Sequence, residues 1–219
     1  WNLGNLGANA YFDFVVEGAQ LWELSRDGNV LAAPKQLESV FLPPGSRSTI
    51  VVVAPSNAGS YAIRSRMVDT GPQGDPNPDV QLGTLVVRGR PMMDPELQAR
   101  LLEPAINRGI TFPTLEEVAA MPITRQRTIT FSETEDGNTF FIDGRTFDEA
   151  RDDIVVNLGD VEEWTVRNIS GVRHVFHIHQ LDFLVLSINN QDIDEIGLRD
   201  TIDVPYQQNG VPGEVKLII

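Results

Sequence analysis

All three histidines of this chain fall in one run, His174-Val175-Phe176-His177-Ile178-His179. Imidazole is the commonest metal ligand among side chains, and the apolar neighbours Val175, Phe176 and Ile178 offer nothing to occupy two nitrogens on each of three rings. On a β-strand, side chains alternate between faces, so His177 and His179 share one face and His174 takes the other. A strand of this kind feeds two metal sites, one through His174 and one through His177 with His179. Gathering all three rings around one ion would need a bulge near Phe176 to bring His174 round. The remaining reading is packed strand histidines with no metal.

Two familiar metal patterns do not match. A zinc hydrolase of the HxHxDH kind puts a histidine directly after an aspartate, and Asp182 is followed by Phe183. A cupin places a glutamate a few residues after its HxH, and the first one downstream here is Glu195.

The elements that must hold these residues read as β-structure. Runs rich in Val, Ile, Phe and Thr recur at Tyr11–Val16, Thr49–Ala54, Leu82–Val87, Thr128–Ser132, Val161–Asn168 and Phe183–Ile188, with Gly, Pro and Asn between them. That spacing predicts a β-sandwich or barrel. Residues 69–79 are a loop by composition. Residues 91–124 form a linker carrying a short helix or two: Asp94 is the expected N-cap, Pro95 the first helical residue, and Leu97, Leu101 and Leu102 the apolar positions. Pro104, Gly109, Pro113 and Pro122 then interrupt the chain. The division expected is 1–90, linker 91–124 and 125–219. Trp22 and Trp164 are expected in the cores and Met92 and Met93 as packing residues of the linker. The acidic runs 133–136 and 192–195 are expected to be solvated loops.

With 31 acidic against 17 basic residues the net charge is −14 among 219 residues. That charge repels phosphate backbones and anionic lipid surfaces, so nucleic acid and membrane partners are not expected. There is no cysteine, hence no disulfide, no thiolate ligand and no thiol nucleophile within these residues.

The two halves are related to each other. Trp1-x-Leu3-x-Asn5 matches Trp164-x-Val166-x-Asn168, and the same ungapped register sets Leu21 against Leu184. It also sets Tyr11, Phe14 and Val16 against His174, His177 and His179. With one residue of slippage, Ser39-Val40-x-Leu42-Pro43 matches Thr201-Ile202-x-Val204-Pro205. The ligands belong to the second copy alone. That copy reaches Ile219 at about the place of Val51–Val53, so it is expected to lack its last strands and to need a cover for an open edge, from other segments of the same protein or from oligomer contacts.

The segment Glu162–Asn168, the histidine run, Phe183-x-Val185-Leu186 and Gly197-Leu198-Arg199-Asp200-Thr201-Ile202-x-Val204-Pro205 together resemble the last cupredoxin domain of the multicopper oxidases, the laccase-like enzymes. Phe141-Ile142-Asp143-Gly144-x-x-Phe147 resembles that domain's opening strand. Residues 1–90, with Asp27-Gly28 and Pro43-Pro44-Gly45-x-Arg47, resemble the metal-free middle domain of three-domain members.

The resemblance implies an all-β fold of two cupredoxin-like Greek-key sandwiches joined by the linker, the second incomplete at its C-terminus. It implies copper as cofactor, with His174 on the type 1 copper, His177 on the type 2 copper and His179 on the type 3 pair. The activity implied is one-electron oxidation of a small-molecule or metal-ion substrate coupled to reduction of dioxygen to water, in the periplasm or outside the cell. Val175, where the family often has Pro, and Gln180, where it often has Gly, depart from the pattern. The remaining ligand motifs, from a first domain and from an HCH strand, are absent, and that strand would correspond to Tyr61–Arg66 of the first copy. The chain alone is therefore expected to be inactive. The rival readings are a non-catalytic cupredoxin-type binding or structural module, and a simple metal-binding protein.

Overall fold

The computed structural model describes residues 1–89, 94–104, 115–194 and 197–219. Backbone contacts divide the chain into two units. Unit 1 comprises Trp1–Asp69, Asp75–Pro113 and Ile196–Thr201; unit 2 comprises Thr70–Gly74, Thr114–Glu195 and Ile202–Ile219. A division of the sequence at 91–124 does not foresee the two short segments, 70–74 and 196–201, that each belong with the opposite half. Met92 and Met93, with Gly109, Pro113 and Glu195, lie outside the described residues.

Unit 1 holds β1 (Asn2–Gly4), β2 (Phe12–Val16), β3 (Gln20–Arg26), β4 (Asn29–Leu37), β5 (Val40–Leu42), β6 (Arg47–Val53), β7 (Gly59–Arg66) and β8 (Val80–Val87). They form two four-stranded sheets of order β1-β6-β3-β4 and β5-β2-β7-β8. Alternation puts Phe14 and Val16 of β2, Leu21 of β3, Val40 and Leu42 of β5 and Ile50 of β6 into one shared core between the sheets. Each such side chain contributes about 1.5–3 kcal/mol by leaving water. Trp22, next to Leu21, takes the other face of β3 and is half-buried, not a member of that core. The β3–β4 hairpin turns through Asp27 and Gly28 at φ 51° and 94°, the left-handed pair that a tight twisted hairpin needs.

Within unit 1, Asp200 receives both amino groups of Arg47 at 2.8 and 2.7 Å, and Arg47 also donates to the Asp27 carbonyl at 2.7 Å. The Asp27 carboxylate accepts the Arg47 backbone N–H at 2.9 Å, and burial pushes its pKa up. Residues quoted from three separate motifs thus meet in one ion-paired cluster. Helix α1 (Pro95–Leu101) starts as its sequence predicts, with Asp94 Oδ1 accepting from the N–H groups of Glu96 and Leu97. Of the three leucines expected to anchor it, Leu101 is buried, while Leu97 and Leu102 are exposed.

Unit 2 holds α2 (Leu115–Ala119), β9 (Arg125–Glu133), β10 (Phe140–Ile142), β11 (Glu162–Asn168), β12 (His174–His177), β13 (Leu184–Ile188), β14 (Gln191–Asp192), β15 (Thr201–Val204) and β16 (Gly213–Ile218). Six strands form one sheet, β10-β9-β11-β16-β13-β14, and β12 pairs with β15 in a second. The core between them takes Ile129, Trp164, Val166, Phe176, Phe183, Val185, Ile202, Val204, Val215 and Leu217. The inward row of β11 reads Glu162, Trp164, Val166, Asn168, all buried, so two polar residues close its ends. Glu162 is satisfied by the Arg127 guanidinium and by the Trp164 indole N–H at 2.8 Å. These contacts hold its carboxyl below the usual carboxylate range.

Candidate metal centre

The three imidazoles do not converge. Strand β12 sends Phe176 into the core, where its ring lies 6.1 Å from Trp164 and 5.5 Å from Phe183. His174, two residues earlier on the same side, is half-buried with its ring edge-on to Phe131 at 5.8 Å and Phe140 at 6.1 Å. His177 and His179 are exposed and their rings are 4.9 Å apart. No group of three metal-binding side chains occurs among the described residues, so a single site shared by all three rings is not what this strand builds.

The two kinds of imidazole differ electrostatically. Burial pushes the His174 pKa down and keeps its ring neutral, because a charged imidazolium loses its hydration there. Its Nε2 is buried and has no hydrogen-bond partner among the described residues. A neutral imidazole with an uncommitted nitrogen is the form that donates to a metal. Asp182, which follows the histidine run, is exposed. Gln180, directly after His179, has φ 68°, the left-handed region where glycine carries no side-chain penalty.

The structure corrects the register of the internal repeat. Asn5 Nδ2 donates to the carbonyls of Ala10 at 2.6 Å and Leu42 at 2.9 Å. Asn168 Nδ2 donates to those of Val172 at 2.8 Å and Val204 at 3.3 Å. The residue after each bonded carbonyl donates its own N–H, Tyr11 to Asn77 Oδ1 at 2.8 Å and Arg173 to the Thr70 carbonyl at 2.9 Å. Across the strand pair, Tyr11 stacks on Phe41 at 6.0 Å, and Arg173 forms an ion pair with Asp203. Matching these contacts sets Phe176 against Phe14, both buried, and His174, His177 and His179 against Phe12, Val15 and Glu17. The ungapped sequence match is therefore one residue out at the histidines, since the loop after Asn168 is one residue shorter than the loop after Asn5.

Several residues around His174 were not singled out by sequence: Phe131, Phe140, Arg173 and Asp203. Asp203 is buried on β15, which pushes its pKa up to about 6 although Arg173 beside it pulls the other way. The paired Asn5 and Asn168 were the available signal, visible in the repeat but with no chemistry attached. The acidic run 133–136 closes on itself as a turn: Thr134 and Asn138 donate to Asp136 and lower its pKa to about 2.

A family model described as multicopper oxidase matches residues 1–90, and a second of that description matches residues 120–211. The chain is 24% identical over 189 residues to a laccase of Haloferax volcanii, covering 84% of this chain and 30% of that protein. It is 28% identical over 214 residues to the cell division protein FtsP of Salmonella typhimurium, covering 93% of this chain and 40% of that protein. The solved multicopper oxidase of Campylobacter jejuni, described as a metallo-oxidase, shares the fold with TM-score 0.75 at 24% identity, over 99% of this chain and 46% of that one. The chain thus spans less than half the length of each of these three proteins.

Proposed function

We propose, since this chain belongs to the multicopper oxidase family, that it forms part of a copper-dependent oxidase. In this reading His174 is a ligand of the type 1 copper, His177 of the type 2 copper and His179 of the type 3 pair. The observation that carries it is the split along and just past β12, with one half-buried neutral ring on the core side and two exposed, adjacent rings away from it. When bound, copper supplies one-electron redox chemistry, drawing electrons from a reducing substrate, four for each dioxygen reduced to water.

The chain's own part is to hold the donors. Phe131 and Phe140 pack edge-on against the His174 ring, fix its plane and keep water from it. Arg173, tied through its N–H and its guanidinium, fixes the backbone immediately before that ring. His177 and His179 face solvent, and the further ligands of their sites lie outside these residues. With no cysteine in the sequence, the thiolate of a type 1 site has to come from outside these residues, and the chain by itself is inactive in oxygen reduction. The substrate is a small molecule or a metal ion, and the compartment is the periplasm or the exterior. No helix among the described residues is long and apolar enough to cross a membrane.

Metal analysis and optical spectra of the copper-loaded, full-length parent protein test this. Bound copper with a blue thiolate band is expected. His174→Ala removes that band, while His177→Gln and His179→Gln keep it and abolish oxygen consumption. A parent protein that binds no copper, or a blue band indifferent to His174→Ala, overturns the reading.

A second reading is favoured by the likeness to FtsP, which runs along 93% of this chain. In it, the two sandwiches serve assembly and no copper is used. Wild-type growth and septation by a strain whose parent protein lacks all three imidazoles would exclude a copper role and leave this one.

A further inference from the structure

Among the described residues each unit buries one asparagine where a strand gives way to the long loop, Asn5 at 1% and Asn168 at 0% exposure. Each ties the same three pieces of chain together. Asn5 Oδ1 accepts the Gly7 N–H at 3.0 Å, and its amide donates to Ala10 and Leu42. Asn168 Oδ1 accepts the Ser170 N–H at 2.9 Å and the Ser170 hydroxyl at 2.7 Å, and its amide donates to Val172 and Val204. In both units the side chain bridges the loop to the strand beside it, β5 in one and β15 in the other.

What differs is the residue that the bridge delivers. In unit 1 the strand runs on to Phe12, in unit 2 to His174. We infer that Asn168 is a positioning residue for His174. By holding the Val172 and Val204 carbonyls together it sets the height of β12 along β15, and with it the seat of the imidazole against Phe131 and Phe140. A buried amide whose groups are all bonded has one low-energy arrangement; losing it takes one donor from the Val204 carbonyl and leaves the Val172 carbonyl with the Ser170 hydroxyl at 3.2 Å, a bond that does not reach β15. The backbone then slides or tilts to find other partners, and His174, two residues from Val172, moves with it. This rests on the reading of His174 as a copper ligand, and the matched bridge at Asn5 supplies the control.

The test compares Asn168→Ala with Asn5→Ala in the copper-loaded, full-length parent protein. Both variants lower the melting temperature by similar amounts. Asn168→Ala alone shifts the absorption and the copper hyperfine splitting of the mononuclear site, and weakens copper there by about tenfold, the low end of the range for groups that orient a ligand. If Asn168→Ala is insoluble, Ser170→Ala keeps both amide bonds and gives a smaller shift of the same sign. A spectrum unchanged in Asn168→Ala, or changed equally in Asn5→Ala, overturns the inference. Should the unsubstituted protein take up no copper, the functional reading falls first. Crystal structures of the copper-free variants then decide about Asn168: a His174 ring displaced from Phe131 and Phe140 in Asn168→Ala and not in Asn5→Ala supports its role, and an unmoved ring refutes it.

Discussion

Strand pairs β2–β5 and β12–β15 are the same construction put to different ends. Both receive an asparagine amide on the outer strand's carbonyl, both bury a phenylalanine, and both follow a loop closed by a side-chain hydrogen bond. In unit 1 the pair sits in a four-stranded sheet, with β7 along the far edge of β2. In unit 2, among the described residues, β12 pairs with β15 alone. At the position where unit 1 stacks Tyr11 on Phe41, unit 2 pairs Arg173 with Asp203. Where unit 1 has Phe12, unit 2 has His174. A duplicated sandwich can thus keep its backbone bridges and acquire chemistry by changing the side chains that hang from them, because the bridges fix position and are indifferent to what is positioned.

The comparison breaks most severely at Gly213. It faces Asn168 across β11 and β16, whereas Asn5 faces Ser46 in unit 1. A Cβ at position 213 would overlap the carbonyl of Pro205, which follows β15 directly. Gly213→Ala is expected to cost about 3 kcal/mol by forcing backbone apart. Ser46→Ala, where a Cβ already fits, should cost no more than about 1 kcal/mol. Urea unfolding of the two variants measures this; equal losses would mean that position 213 is packed no more tightly than position 46.

The Arg173–Asp203 pair gives a pH effect that the Tyr11–Phe41 pair lacks. Burial raises the Asp203 pKa from 3.8 to about 6, so the native state holds this proton in a range where the unfolded chain has released it. Its contribution to stability is therefore full below about pH 4 and lost as pH rises through about 6. The loss is on the order of 3 kcal/mol. Asp203→Asn removes that decline, and so does the paired change Arg173→Tyr with Asp203→Phe, which copies unit 1. Thermal melts from pH 3.5 to 7.5 follow it; a decline that survives in both variants would assign the proton to another group.

The smallest effect is at Gln180. Left-handed backbone at a non-glycine residue costs about 1 kcal/mol, so Gln180→Gly should raise stability by roughly that amount. Its counterpart by register in unit 1, Gly18, has φ 71° and is already a glycine. Calorimetry is sufficient to detect the difference, and a destabilised variant would show that the Gln180 side chain contributes more than its backbone costs.

Much of this was legible before any coordinates. The strands were marked by Val, Ile and Phe runs, the α1 start by Asp94-Pro95, and the duplication by Trp-x-Leu-x-Asn against Trp-x-Val-x-Asn. The alternation of His174 against His177 and His179 followed from the two-residue period of a strand. The loop length after Asn168 was not legible, because an ungapped match tolerates a slip inside a loop where no apolar pattern records it. Neither was the exchange of segments 70–74 and 196–201, which carries no compositional mark.

The sequence by itself determined that three imidazoles lie on and just past one strand of a twofold-repeated β-protein, since residue spacing and strand periodicity are local properties of the chain. Only the tertiary structure decided that the His174 ring is half-buried and neutral beside two phenylalanines while His177 and His179 meet solvent. Burial, pKa and the asparagine bridge depend on strands far apart in sequence, and no local pattern encodes which distant carbonyl a buried amide will find.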